Sequence, residues 1–415
     1  MKESSSIGSE MNTSKRKRSC RGYENDQDLV LPDVDPNRTP IAYHLMKSKS
    51  HSTTSTAASR PFSPTNRLLQ LEISPHNPLC IVAINRQDPR MPRALKSTLA
   101  QLETFQRGDE VVPKQLAPDV KVRQARQREC IADGSYDDYY EYSGYDEFYN
   151  FRPSVFCHEY EPGCWGQIKL RDVLDIVTAT QTCINDRHPD LSWNMLVHWP
   201  IFTLAFGAGG TDIPTTSAAT PYTRVSCVPC TAARITDQNE GSKLIDFCVA
   251  LQPLEDHSIV EAEQTIRELR GRTDGSVVNH TDFYPLRDRP IVMSVASGNS
   301  GEGLLEAETQ VGVWQAAQWS LLASQSKSGK DSISSLPFLP ALLIQGPQWY
   351  FAATTREGDQ TLLWTERSIG STDTALGIFQ IIRTLRYMAE WSATIYWPWY
   401  EREILGLAKP RSTSQ

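Results

Sequence analysis

Two stretches decide the fold: Lys243-Leu244-Ile245-Asp246-Phe247-Cys248-Val249-Ala250-Leu251, and Pro290-Ile291-Val292-Met293-Ser294-Val295-Ala296-Ser297-Gly298. Each is a short, nearly continuous apolar run, the pattern of a strand covered on both faces of a sheet rather than on one. Asp246 stands inside the first run. A carboxylate in apolar surroundings needs a cation, a metal or hydrogen-bond donors, because burying it alone is costly. The second run carries no acid and no base.

Working outward from these strands, Leu170, Val173, Leu174, Val177 and Ile184 recur at helical spacing, which predicts an amphipathic helix over 168–185. A second helix begins near Asp190 and carries Trp193, Asn194, Val197 and His198, with Pro200 ending or kinking it. Strands are expected over 224–236, 243–252 and 290–296. A long helix is expected over 304–324, with Leu304, Val311, Trp314, Ala317 and Leu321 on one side. Antiparallel strands over 341–345, 349–355 and 361–366 follow, then a helix over 373–395. The order α-α-β-β-β-α-β-β-β-α is that of a mixed α/β domain spanning 151–405.

The remainder is organised differently. Residues 1–65 are rich in Ser, Thr, Pro, Lys and Arg with hardly any apolar periodicity, so a disordered arm is expected there. Within it, Lys15-Arg16-Lys17-Arg18 has the composition of a nuclear import signal, or equally of a solvated charge run. Residues 66–150 read as an N-terminal appendage: Leu95, Leu99 and Leu102 sit at helical spacing, and Tyr136–Tyr149 holds six tyrosines and five acids without a base. Such a run reads as a solvated loop, with a phosphate-mimicking surface as the rival. Residues 406–415 read as a flexible tail.

Charge divides the chain. Residues 1–65 carry 10 basic against 7 acidic residues and the rest 32 against 42, within a total of −7. An acidic globular part argues against a broad nucleic-acid-binding face. No apolar run reaches the roughly 18 residues of a membrane span, and the start lacks a secretory segment, so an intracellular protein without a membrane partner is expected. Nine cysteines, an odd number, fit a reducing compartment. Cys227 and Cys230 have zinc or redox spacing but no second such pair; Cys157, His158 and Cys164 have no spacing that recommends them as the missing ligands.

Ordered blocks of residues carry a resemblance. They are Trp193-Asn194-x-x-Val197-His198 after an acid, Cys230-Thr-Ala-Ala-Arg-Ile235, Lys243-x-x-Asp246, Asn279-His-Thr-Asp282 through Pro285-Leu-Arg287, and Gln310-x-Gly312-Val-Trp314-x-Ala-Ala-Gln318. Leu336-Pro-x-Leu-Pro340, Trp364-Thr-Glu366 and Trp397-Pro-Trp399 complete the set. In these blocks the chain resembles the PD-(D/E)xK nuclease-like domain family, in the version common among uncharacterised fungal proteins. The resemblance implies a restriction-endonuclease-like α/β fold, a mixed central sheet flanked by helices.

By the same resemblance, Asp190 matches a helix acid, Asp246 the aspartate of the second motif and metal ligand, and Gln310 a glutamine beyond the third motif. In that family the strand after Pro290 reads Glu-x-Lys, whose alternation aims both side chains at one point. The carboxylates hold a divalent ion, usually magnesium, which with the lysine activates the attacking water. Here Ala296 stands at the Glu position and Gly298 at the Lys position. The resemblance thus implies a catalytically impaired nuclease-like protein, needing no cofactor, with nucleic acid or a protein as partner. The rival is an active magnesium-dependent nuclease that draws its missing group from Glu302, Glu306 or Glu308.

Local alternatives accompany each residue. Asp190 after Pro189 suits a helix N-cap, Asp246 a salt bridge with Lys243 or Arg234, His198 a satisfied core position, and Trp391, Trp397 and Trp399 packing. The glycine-bearing turns at 298–303, 207–210 and 328–330 lack the completing residues of a phosphate loop.

Overall fold

The computed structural model describes residues 64–75, 77–133, 151–157, 168–216, 222–236, 245–254, 261–298 and 304–407. Pro61–Gln415 forms one compact unit. The basic cluster Lys15–Arg18, the tyrosine-rich run, His158, Cys164, Lys243, Glu302 and the tail beyond 407 lie outside the described residues.

In chain order the elements are α1 (Pro64–Glu72), β1 (Leu79–Ala83), α2 (Arg93–Gln106), α3 (Ala117–Asp133), α4 (Leu170–Asn185) and α5 (Asp190–Trp193). A π turn, Asn194–His198, joins α5 to α6 (Trp199–Phe206). Then come β2 (Thr211–Pro214), β3 (Tyr222–Pro229), β4 (Phe247–Leu254), α7 (Glu261–Arg272), β5 (Ile291–Gly298) and α8 (Leu304–Gln325). The chain continues through β6 (Leu339–Gln345), β7 (Gln348–Glu357), β8 (Gln360–Ser371), α9 (Ala375–Trp391) and α10 (Trp397–Tyr400).

One eight-stranded sheet runs in the order β1-β8-β7-β6-β5-β4-β3-β2. Only β1–β8 and β5–β6 are parallel. The second of these pairs is parallel because α8 crosses back between its strands, whereas the others are joined by turns or return in the opposite sense. Helices cover both faces, which is why the strands read as unbroken apolar runs. On one face Phe247, Val249, Val295, Trp349 and Phe351 pack with Phe202 and Phe206 of α6 and with α9. On the other, Cys248, Ala250, Ala296 and Leu343 pack with Val311 and Trp314 of α8.

Several boundaries differ from the sequence expectation, each for a local reason. β3 ends at Pro229 instead of 236, where the chain turns through Cys230–Ala233, and Ile235 makes an isolated bridge to Thr281. α7 escapes a periodicity reading because Ala262 and Ile266 are its only buried residues among ten that face solvent or the rim. β2 is four residues long, too short to show alternation. The segment expected as an appendage places β1 beside β8, and Gly312 explains the fit: a Cβ there would collide with Leu79.

Pro200 neither ends its helix nor breaks it. A proline removes the amide that would bond back one turn. The backbone absorbs the loss by widening into the π turn Asn194–His198 just ahead of Trp199-Pro200. The same device recurs at Ser392–Tyr396 before Trp397-Pro398. At the first site it matters, because the widened turn carries Asn194 and His198 inward, where both are buried.

Candidate functional site

Asp246 sits one residue ahead of β4, at 0% exposure. Because Phe247 pairs with Val295, antiparallel register sets Asp246 across from Ala296. The backbone agrees: the Asp246 amide donates to the Val295 carbonyl at 2.9 Å, and the Asp246 carbonyl accepts from the Cys230 amide at 2.8 Å. Asp246 and Ala296, the positions that the resemblance assigns to the second and third motifs, are therefore neighbours in the sheet.

The carboxylate is held by nitrogen donors. Asn194 Nδ2 donates to Oδ1 at 2.9 Å, and the Ser297 backbone amide donates to Oδ2 at 2.9 Å. Asn194 Oδ1 in turn accepts from Ser297 Oγ at 2.8 Å and lies 2.9 Å from His198 Nδ1. A carboxylate only accepts, so the Asn194 amide is oriented with its nitrogen toward Asp246 and its oxygen toward Ser297 and His198. That orientation makes Nδ1 the protonated nitrogen of His198. Nε2 then faces the Gly346 carbonyl at 3.4 Å, a longer contact that becomes a hydrogen bond only on the doubly protonated ring.

His198 is also enclosed by rings, stacked with Trp193 at 5.9 Å and edge-on to Trp349 at 5.6 Å. Burial pushes its pKa down to about 4, against the upward pull of Gly346 and of the Asp246 charge. It is a buried core histidine whose neutral ring is hydrogen-bonded through Nδ1 alone, so the satisfied core position expected from the apolar helix face is met at one nitrogen of the two.

The remaining expected residues are placed as follows. Asp190 is the first residue of α5, one turn before Asn194, and Pro189 occupies the cap position that Asp190 was a candidate for. Ala296 is fully buried in the apolar layer with Val311 and Trp314, and Gly298 closes β5. Gln310 lies on α8, where its amide donates to Glu306 Oε1 at 3.5 Å; no hydrogen bond joins it to Asp246 among the described residues. Glu306 is exposed and Glu308 is buried near the start of α8. Arg234 donates to the carbonyls of Thr231 and Ala233, so it is not the counter-ion of Asp246.

Asn194 stood in the first block that carries the resemblance but was given no role at the site, and Ser297 was not singled out. A polar pair at i and i+4 on an otherwise apolar helix, Asn194 and His198, was the available signal for the first. Ser297 carried none, because its contribution is a backbone amide and a hydroxyl turned to the helix side. Cys230, for its part, approaches Cys248 at 3.4 Å instead of joining Cys227 in a metal site.

A divalent ion tests the donor set. Magnesium requires near-octahedral oxygen ligands. Both oxygens of Asp246 accept from N–H groups, the Asn194 oxygen is turned to two donors, and Ala296 and Gly298 offer no side-chain oxygen. Among the described residues no three His, Cys, Asp or Glu side chains converge closely enough to hold a metal. The residues present do not fit the ion that the resemblance implies.

A profile of the PD-(D/E)XK nuclease superfamily matches residues 142–397. The chain belongs to this superfamily, and its mixed α/β sheet flanked by helices is the corresponding fold. No curated protein and no solved structure matches the chain in the same comparison. No helix among the described residues is long and apolar enough to cross a membrane.

Proposed function

We propose that this chain is a nuclease-like protein that has lost phosphodiester hydrolysis and keeps the fold as a binding scaffold. One observation carries the reading: the Asp246 carboxylate is fully buried, with Asn194 Nδ2 and the Ser297 amide among its donors, opposite an alanine. In a metal-dependent nuclease that carboxylate must present an oxygen to the ion, and a lysine must lie beside the attacking water. Here Ala296 and Gly298 stand where the second carboxylate and the cation would be, while Asn194 and the Ser297 amide supply donors to the buried carboxylate. Superfamily membership favours nucleic acid as the bound partner, a protein being the alternative.

The rival reading, an active magnesium enzyme with a relocated acid, rests on Glu308, which is buried at the start of α8. Titration with manganese, followed by calorimetry and by the metal's paramagnetic signal, separates the two. No saturable binding is expected up to millimolar metal. Stoichiometric binding that Asp246→Asn or Glu308→Gln removes would overturn the proposal.

A further inference from the structure

A second cleft lies at the opposite end of β4. Asp246 precedes the first residue of that strand, whereas this cleft is bounded by Gln252, Pro253 and Leu254 at its end, roughly 20 Å away at the rise of an extended chain. Its volume is about 590 Å³, within the range of small-ligand sites. Among the described residues four arginines line it, Arg267 and Arg270 from α7 and Arg287 and Arg289 from the segment before β5, against two acids, Glu263 and Asp288. Counted over the described residues, that is a local surplus of two positive charges on a chain of net charge −7.

The internal pairing leaves that surplus in place. Arg267 pairs with Glu263 one turn away. Asp288 Oδ2 is shared, 3.3 Å from Arg287 and 3.9 Å from Arg270. Arg270 is further fixed by donating from Nε to the Ser276 carbonyl at 2.9 Å, and Arg287 lies over the Tyr284 ring at 4.2 Å. Among the described residues Arg289 has no acidic or hydrogen-bonding partner for its guanidinium. Pinned, half-buried guanidinium groups are preorganised for planar oxyanions, and their forks match phosphate better than an ammonium does. Ile266, Leu254 and Pro253 supply an apolar wall beside them.

We infer that this cleft binds a small oligophosphate, of the size of a nucleoside di- or triphosphate, with Arg289 as the principal free anchor. A long polyanion fits less well, because the chain beyond residue 65 carries 32 basic against 42 acidic residues. The inference does not depend on the state of the Asp246 site.

Calorimetric titration of the full chain at low ionic strength, without metal, tests it with ATP, inorganic pyrophosphate, adenosine and a single-stranded oligonucleotide. Saturable 1:1 binding of ATP or pyrophosphate is expected; binding of both assigns the site to the phosphates, and of ATP alone to a nucleotide. Adenosine is expected not to bind. Arg289→Gln and Arg267→Gln should each weaken binding about tenfold, the scale of one lost charge-assisted contact, whereas Glu263→Gln should tighten it severalfold by freeing Arg267. Opposite effects from neighbouring surface substitutions are not produced by a general loss of folding. Absence of saturable binding by either phosphate, affinities unchanged in all three variants, or an oligonucleotide bound more tightly than ATP would overturn the inference.

Discussion

Asn194 and Asp246, 52 residues apart in sequence, meet through a 2.9 Å hydrogen bond from the amide Nδ2 to the carboxylate Oδ1. The bond places a neutral donor against the carboxylate that the resemblance assigns to the second motif. It also links the π turn after α5 to the start of β4, so the helix layer and the sheet are fastened at the site.

Removing that donor should be costly. In Asn194→Ala the Asp246 carboxylate stays buried with one oxygen deprived of its N–H, and Ser297 and His198 lose their shared acceptor. Loss of one partner from a buried charged hydrogen bond costs about 2–4 kcal/mol. Denaturant unfolding should show a destabilisation of that size, while Asp246→Asn, which keeps the shape and removes the charge, should be milder.

Restoring the missing carboxylate should not restore a site in this background. Ala296 is enclosed with Val311 and Trp314 on the α8 face, so Ala296→Glu buries a charge and extra volume together. A loss of about 3 kcal/mol or more is expected, readable as a lowered Tm. A variant that kept its stability would mean that the α8 face has room for a carboxylate side chain at this position.

Acid should weaken the fold in a defined window. Burial holds His198 at about 4 and His280 at about 3, both below the ordinary value of 6.5. His280 packs edge-on against Trp314 at 4.4 Å, and its ring nitrogens have no hydrogen-bond partner among the described residues. Between those values and 6.5 the unfolded chain binds protons that the folded chain does not, so stability rises with pH and falls on acidification. Each histidine contributes a loss of about 2 kcal/mol by pH 5. Unfolding free energies measured from pH 7 to 4.5 should decline accordingly, and His280→Gln should flatten part of the slope.

The main lines of the sheet were legible because both of its faces are covered. Asp246 and Pro290–Val295 stand out as apolar runs, and the register that brings Asp246 across from Ala296 follows from pairing those runs. The helices around Val173, Trp314 and Ile378 declared themselves by period. What escaped notice had a physical reason for being quiet: α7 buries two residues, β2 spans four, and β1 is a five-residue strand whose place beside β8 is set by the absence of a side chain at Gly312. At the site, the acids were conspicuous in sequence, but donors that Asp246 meets include an amide side chain and a backbone N–H. A peptide N–H has no residue type, so no pattern announces it.

The most direct measurement of the central claim is cleavage of labelled single- and double-stranded DNA and RNA by the purified full chain, with magnesium and with manganese, beside Asp246→Ala prepared identically. Loss of one stabilising group often costs about 100-fold or more in rate, and the proposed reading has two replaced, at Ala296 and Gly298. No cleavage above the Asp246→Ala background is expected on any substrate. Metal-dependent cleavage by the unmodified chain that Asp246→Ala abolishes would contradict the account.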